Sequence, residues 1–153
     1  MDEAVARSIA RWPNVPAVYG WLALDRRGNW RIKGGTISNA ALREFIGRNY
    51  EADAIGRWYF QNGPQRVYVS LAYAPLVVHL EAGGLVDHCG RPYAPRESFL
   101  DDEGSVLFAG GPGAALLDDR DLVHYADRAA ELTPLMRAEA ERRLGFVADP
   151  RPH

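Results

Sequence analysis

Two stretches of this chain, 76 residues apart, carry the same pattern. Leu24-Asp25-x-x-Gly28 returns as Leu100-Asp101-x-x-Gly104, and Gly34-Gly35 returns as Gly110-Gly111. Asp-x-x-Gly between apolar runs reads as a type I turn closed by a glycine in the left-handed region, a common longer hairpin loop. The match continues at an offset of 80: Ser38 and Asp118 as N-caps, then Leu42 with Leu122, Phe45 with Tyr125 and Ile46 with Ala126. Four extra residues in Pro112-Gly113-Ala114-Ala115 account for the change of offset. The expected fold is α+β: one domain over 1–153, mostly antiparallel β-hairpins with three to four helices. It would hold an N-terminal helix within 1–13 and internally duplicated hairpin–helix units at about 18–81 and 98–146.

The rest of the chain fits around these units. Val5, Ile9 and Trp12 make the apolar stripe of a short helix ended by Pro13 and Pro16. Val18–Leu24 reads as a strand returning through Trp30 and Ile32, and Gly34-Gly35 breaks it. A second hairpin runs through residues 57–60 and 66–73, with Asn62-Gly63 as its turn. Leu76–Leu80 forms a further strand ended by Gly83-Gly84, and Leu85–Arg96 reads as irregular. Asp118 caps a helix with Asp121 at the capping-box position. Thr133-Pro134 opens a last helix, Leu135 to Leu144, with Gly145 after its end. The tail Asp149–His153 is expected to fray.

Composition narrows the function classes. A net charge of −2 and a pI near 6.1 give no global positive field toward phosphate backbones, so no nucleic acid is expected as partner. No apolar run approaches the length of a membrane span, and the acidic Met1-Asp2-Glu3 is unlike a signal peptide. Cys89 is the single cysteine, so no intrachain disulfide can form. Together these point to a cytoplasmic protein with no membrane partner.

Leu24-Asp25-x-x-Gly28-Asn29-Trp30, followed by a short helix and then Arg66-Val67-Tyr68-Val69 leading to Ala74-Pro75-Leu76-Val77, resembles a known arrangement. It is similar to small proteobacterial proteins classed as domains of unknown function, in which an Asp-Gly-x-Trp hairpin precedes a helix and an Asp-Ala-Pro-Phe-Val-like segment. Here Asp25-Arg26-Arg27-Gly28 spaces the Asp-Gly pair, and Tyr73 stands where the first Asp would be. The resemblance implies repeated α+β units and a signalling or ligand-sensing role, with no catalytic residues to carry over.

Asp87-His88-Cys89 is the most reactive-looking triplet. A zinc site needs three or four ligands in spaced pairs, and a cysteine nucleophile needs an ordered partner. No such spacing is present, so no metal, cofactor or catalytic residue is assigned. His124, between Asp121 and Arg128, fits a solvated helix face. Gly110-Gly111-Pro112-Gly113 precedes a helix start crowded by aspartates, which disfavours phosphate. Tyr59 and Tyr68 alternate with the apolar rows of their strands and are expected to be exposed beside Arg57 and Arg66, a surface suited to ligand or protein contact. The binding candidates are therefore Arg57, Tyr59, Arg66, Tyr68, His88 and Cys89. Arg26, Arg27, Arg31 and Lys33 on one hairpin oppose Glu97, Asp101, Asp102 and Glu103 on its counterpart, a pattern that would steer docking or a homo-oligomer. The favoured reading is a non-enzymatic binding or regulatory domain for an unidentified protein or small molecule. The rival is a small hydrolase-like or metal-dependent enzyme using His88 and Cys89.

Overall fold

In the computed structural model, which describes residues 1–152, the Asp-x-x-Gly turn occurs four times with one geometry. Asp25, Asp53, Asp87 and Asp101 each accept the backbone N–H four residues on, at 2.9, 3.0, 3.1 and 2.7 Å. Each donates its own N–H to the carbonyl of that same residue. Gly28, Gly56, Gly90 and Gly104 hold φ of 84°, 87°, 86° and 86°. The carboxylate thus takes donors the turn would leave open, and glycine enters the left-handed region without a Cβ penalty. Because the turn recurs at Asp53 and Asp87, it does not by itself single out the segments at Leu24 and Leu100 as a pair.

The chain divides into two units, one of Met1–Asp25, Asn29–Ala72 and the tail from Val147, the other of Arg26–Gly28 and Tyr73–Phe146. The first is a six-stranded sheet with helices α1 (Glu3–Arg11) and α2 (Ala40–Arg48). Its strands are β1 (Val18–Leu24), β2 (Trp30–Ile32), β3 (Gly35–Thr36), β4 (Tyr50–Ala52), β5 (Trp58–Asn62) and β6 (Gln65–Leu71), in the order β3-β2-β1-β6-β5-β4. β1 and β6 are parallel. Registers Leu22↔Val69, Leu24↔Leu71 and Phe60↔Val67 put one apolar row on one face. Phe45 of α2 meets Phe60 edge-on at 5.6 Å, and Tyr50 packs against Trp30 and Trp58. Each large apolar side chain buried in this row contributes about 1.5–3 kcal/mol.

The second unit holds β7 (Leu76–Glu81), β8 (Gly84–Asp87), β9 (Pro92–Asp101), β10 (Val106–Gly111), β11 (Ala115–Leu117) and β12 (Thr133–Leu135). The order β10-β11-β7-β8-β9, with β9 also paired to β10, closes a five-stranded barrel, and β12 adds outside β9. β11/β7 and β12/β9 are parallel, so the sheets are mixed. Closure buries Leu76, Val78, Leu107 and Ala115 completely and leaves no open edge within the ring.

Several local expectations change. Asn39, not Ser38, caps α2 by accepting the Leu42 N–H at 2.9 Å. Lys33-Gly34, both at positive φ, turn β2 into a third strand where a break was expected. Asn62 pairs with Gln65, so the turn residues are Gly63-Pro64. The segment 85–96, read as irregular, supplies β8 and the start of β9, because barrel closure gives its backbone partners despite Pro92 and Pro95. Asp118 does cap a helix, but residues 119–131 wind as 3-10 turns, and Asp121 accepts Leu80 N–H instead of completing a capping box. Thr133–Leu135 is a strand, and the last α-helix, α3, is only Ala140–Leu144. Trp12 leaves the α1 stripe, 56% exposed. The tail is tied down, since Ala148 accepts the Leu71 N–H and Pro150 is buried; His153 lies outside the described residues.

Candidate functional site

The second face of the first unit's sheet carries Tyr59, Tyr68, Arg57 and Arg66, four of the six candidates. Alternation sets this: Trp58, Phe60, Val67 and Val69 face the core, so the intervening residues face away. Tyr59 and Tyr68 sit opposite each other across β5 and β6, rings 5.8 Å apart. Their orientation matches the expectation but their exposure does not, for they are only 5% and 3% exposed. The cover is local. Arg66 lies 3.9 Å from the Tyr59 ring, Arg57 4.6 Å from the Tyr68 ring, and Tyr19 stacks on Tyr68 at 4.8 Å. Arginine stems and a third phenol shield what alternation alone would leave wet.

The polar groups form one network. Tyr68 Oη donates to Asp53 Oδ2 at 3.0 Å and accepts from Arg57 and Arg66, both at 3.2 Å. Asp53 also pairs with Arg57 at 2.7 Å and accepts the N–H groups of Ile55 and Arg57. Burial would push the Asp53 carboxyl up, but the Arg57 N–H and guanidinium and the Ile55 and Tyr68 donors outweigh it and hold it below the usual 3.8. Tyr59 donates to Glu51 at 2.8 Å, and burial, then this bond, pushes its phenol up to about 12. Arg66 differs from Arg57: its hydrogen bond is to Tyr68 Oη, and among the described residues no carboxylate forms an ion pair with it. A guanidinium has five N–H donors, so Arg66 keeps most of its capacity on a π platform.

Sequence reasoning missed Asp53, Tyr19 and Glu51. Asp53 had a readable signal, since Asp53-Ala54-Ile55-Gly56-Arg57 repeats the Asp-x-x-Gly pattern.

The other two candidates lie in the second unit. Asp87-His88-Cys89 are the opening residues of a turn. Asp87 Oδ1 accepts the N–H groups of Cys89 and Arg91, and Oδ2 takes Arg91 Nε. His88 Nδ1 accepts the Val77 N–H at 3.1 Å. Burial, then the Asp87 charge, pushes the partly exposed Cys89 thiol up to about 12, the opposite of an activated nucleophile. Beside His88 is a cleft of about 400 Å³ lined by Arg27, Gly28, His79, Leu80, Asp118, Arg120 and Asp121. Its arginines are already paired, Arg27 with Asp119 and Arg120 with Asp118. Arg26, expected to face a partner, donates to Ser105 Oγ and lies over Tyr73. Among the described residues no group of three or more His, Cys, Asp or Glu could hold a metal ion, and no helix is long and apolar enough to cross a membrane.

The DUF2944 family model, described as "Protein of unknown function (DUF2946)", matches residues 1–151. A solved DUF1285 family protein from Silicibacter pomeroyi DSS-3 superposes with a TM-score of 0.57 at 18% identity, covering 83% of this chain and 78% of that one. A DUF1285 family protein from Shewanella baltica OS155 gives 0.53 at 14% identity, with 69% and 90% covered. Both are likenesses of fold. No curated protein matches the chain.

Proposed function

The chain belongs to the DUF2944 family, and from that premise we propose that it is a non-enzymatic binding domain whose contact surface for an anionic ligand or partner is the arginine–tyrosine face of its first sheet. The observation that carries this is Arg66: a partly exposed guanidinium fixed over Tyr59, with one tyrosine hydroxyl as acceptor and, among the described residues, no carboxylate paired to it. Asp53 pairs with Arg57, and Glu51 accepts from the Tyr59 hydroxyl, so neither carboxylate is bonded to Arg66. The Arg66 guanidinium therefore keeps donors available on a fixed aromatic platform, which favours carboxylate or phosphate recognition by a planar fork. The rival enzyme loses support because the Asp87 carboxylate is spent on the turn, His88 Nδ1 accepts the Val77 N–H, and burial pushes the Cys89 thiol up. The two hairpin–helix segments are taken as diverged copies, only one of which carries the binding face.

The test titrates acetate and inorganic phosphate into the protein and reads saturable shifts of the arginine side-chain N–H resonances. At least one anion is expected to bind, at least tenfold more weakly in Arg66→Gln and unchanged in Arg120→Gln, whose guanidinium is already paired. Equal binding by wild type and Arg66→Gln overturns the proposal.

A further inference from the structure

In the second unit β12 runs outside the barrel, parallel to β9, with Pro134 opposite Leu100 and Leu135 opposite Asp101. This pairing helps to shape a cleft of about 440 Å³, within the range of about 300–1,000 Å³ usual for small-molecule sites. Leu100, Leu132, Leu135 and Met136 give it an apolar wall, while Asp101, Asp102, Glu139 and Arg143 bring charge to it. Met136 is 57% exposed, a flexible thioether able to adapt to an apolar group. Two of the four charges are already committed. Asp101 accepts the N–H groups of Glu103 and Ser105 and the Tyr73 hydroxyl, and Glu139 pairs with Arg142. The other two are not. Asp102 Oδ1 accepts the Arg137 N–H at 2.6 Å, but among the described residues no cation forms an ion pair with its carboxylate. Arg143 lies 5.2 Å from the Phe99 ring, and among the described residues no hydrogen-bond acceptor or carboxylate engages its guanidinium. One carboxylate and one guanidinium, each without a counter-ion, thus line a single apolar cleft.

We infer that this cleft is a second binding site, separate from the arginine–tyrosine face, for a free α-amino acid with a large apolar side chain. The ligand carboxylate goes to Arg143, its ammonium to Asp102 and its side chain to the wall of Leu100, Leu132, Leu135 and Met136. Charge complementarity selects the zwitterion. An apolar carboxylic acid would match Arg143 but bring its charge into a cleft that Asp102 also lines, and an apolar amine would match Asp102 but meet Arg143. A guanidinium fork suits a carboxylate, and a carboxylate with an open oxygen suits the three donors of an ammonium.

The probes are leucine, methionine and phenylalanine, each compared with its N-acetyl form, which lacks the ammonium, and its amide, which lacks the carboxylate. Affinities are read by calorimetry and from the Met136 methyl resonance. At least one free amino acid is expected to bind saturably and to move that resonance, with both of its blocked forms roughly tenfold weaker or more. Arg143→Gln should bring the free amino acid down to the affinity of its amide, and Asp102→Asn down to that of its N-acetyl form. Both side chains are exposed, so both variants are expected to keep the wild-type thermal midpoint. Arg66→Gln should bind the amino acid as wild type does. The inference is overturned if none of the three amino acids binds, if a blocked form matches its parent, or if Arg143→Gln binds as wild type does. Each of these results leaves anion binding at Arg66 standing, and loss of anion binding in Arg66→Gln leaves the cleft untouched.

Discussion

Gly28→Ala isolates one contact from the strain of a turn. Gly28, Gly90 and Gly104 occupy the same position of the same turn at φ 84°, 86° and 86°, so alanine at each costs about 1–2 kcal/mol for the left-handed backbone. The loss of unfolded-state freedom is also common to all three. The surroundings differ. A Cβ at Gly90 or Gly104 meets nothing within 4 Å, whereas at Gly28 it would stand 2.7 Å from His88 Cβ and 3.5 Å from Val77 Cβ. His88 Cβ cannot yield without moving its backbone, which Asp87 and the Val77–His88 hydrogen bond hold. Overpacking of this kind costs about 1–3 kcal/mol. Gly28→Ala should therefore be destabilised by about 2–5 kcal/mol in all, exceeding Gly104→Ala by about 1–3. At this chain length the excess corresponds to roughly 2–12 °C in Tm. Urea unfolding followed by circular dichroism, with m-values compared to confirm a common transition, reads the difference. If Gly28→Ala and Gly104→Ala agree within about 0.5 kcal/mol, the close packing of this turn on His88 is wrong.

Three further outcomes follow from the same structure. Asp53→Asn should cost about 2 kcal/mol at neutral pH by removing the charged carboxylate that Arg57 pairs with. Since the folded Asp53 carboxyl lies below its ordinary 3.8, its contribution is full above that value and lost as pH falls through the folded one. The deficit of the variant should thus shrink in acid, and a constant deficit from pH 7 to pH 2 would contradict the assignment. Cys89, its thiol near 12, should react with iodoacetamide at pH 8 at least about a hundredfold more slowly than an unhindered thiol; comparable rates would reopen the nucleophile reading. Gly110→Ala would place a Cβ 2.8 Å from both Tyr93 Oη and the Ala94 carbonyl. It should cost about 1–3 kcal/mol and expose Tyr93, whose phenol burial pushes up to about 12, to alkaline titration nearer 10.

Much of the candidate site was legible because strand periodicity is local. Alternation alone assigns Arg57, Tyr59, Arg66 and Tyr68 to the face opposite Phe60 and Val67. It cannot say what covers them, since the cover comes from Tyr19 on another strand and from arginine conformations that depend on the rings beneath. His88 and Cys89 stood out for the opposite reason. Their residue types suggest reactivity, while their roles come from a turn whose hydrogen bonds use backbone N–H groups that every sequence shares.

The amino-acid sequence by itself determined the four Asp-x-x-Gly turns, with their carboxylate acceptors and left-handed glycines, because all those interactions span five residues. It also determined β1, β5, β6 and α2, whose apolar periodicity extends through neighbouring residues. Only the tertiary structure decided the rest. Barrel closure made strands of 84–87 and 92–101 by supplying partners distant in the chain. Pairing with β9 drew Thr133–Leu135 out of the helix its Pro134 seemed to open. On the first sheet, a two-residue excess in β1 against β6 left Trp21 in solvent while its neighbours are buried, because register between strands is fixed by the partner and not by either strand alone.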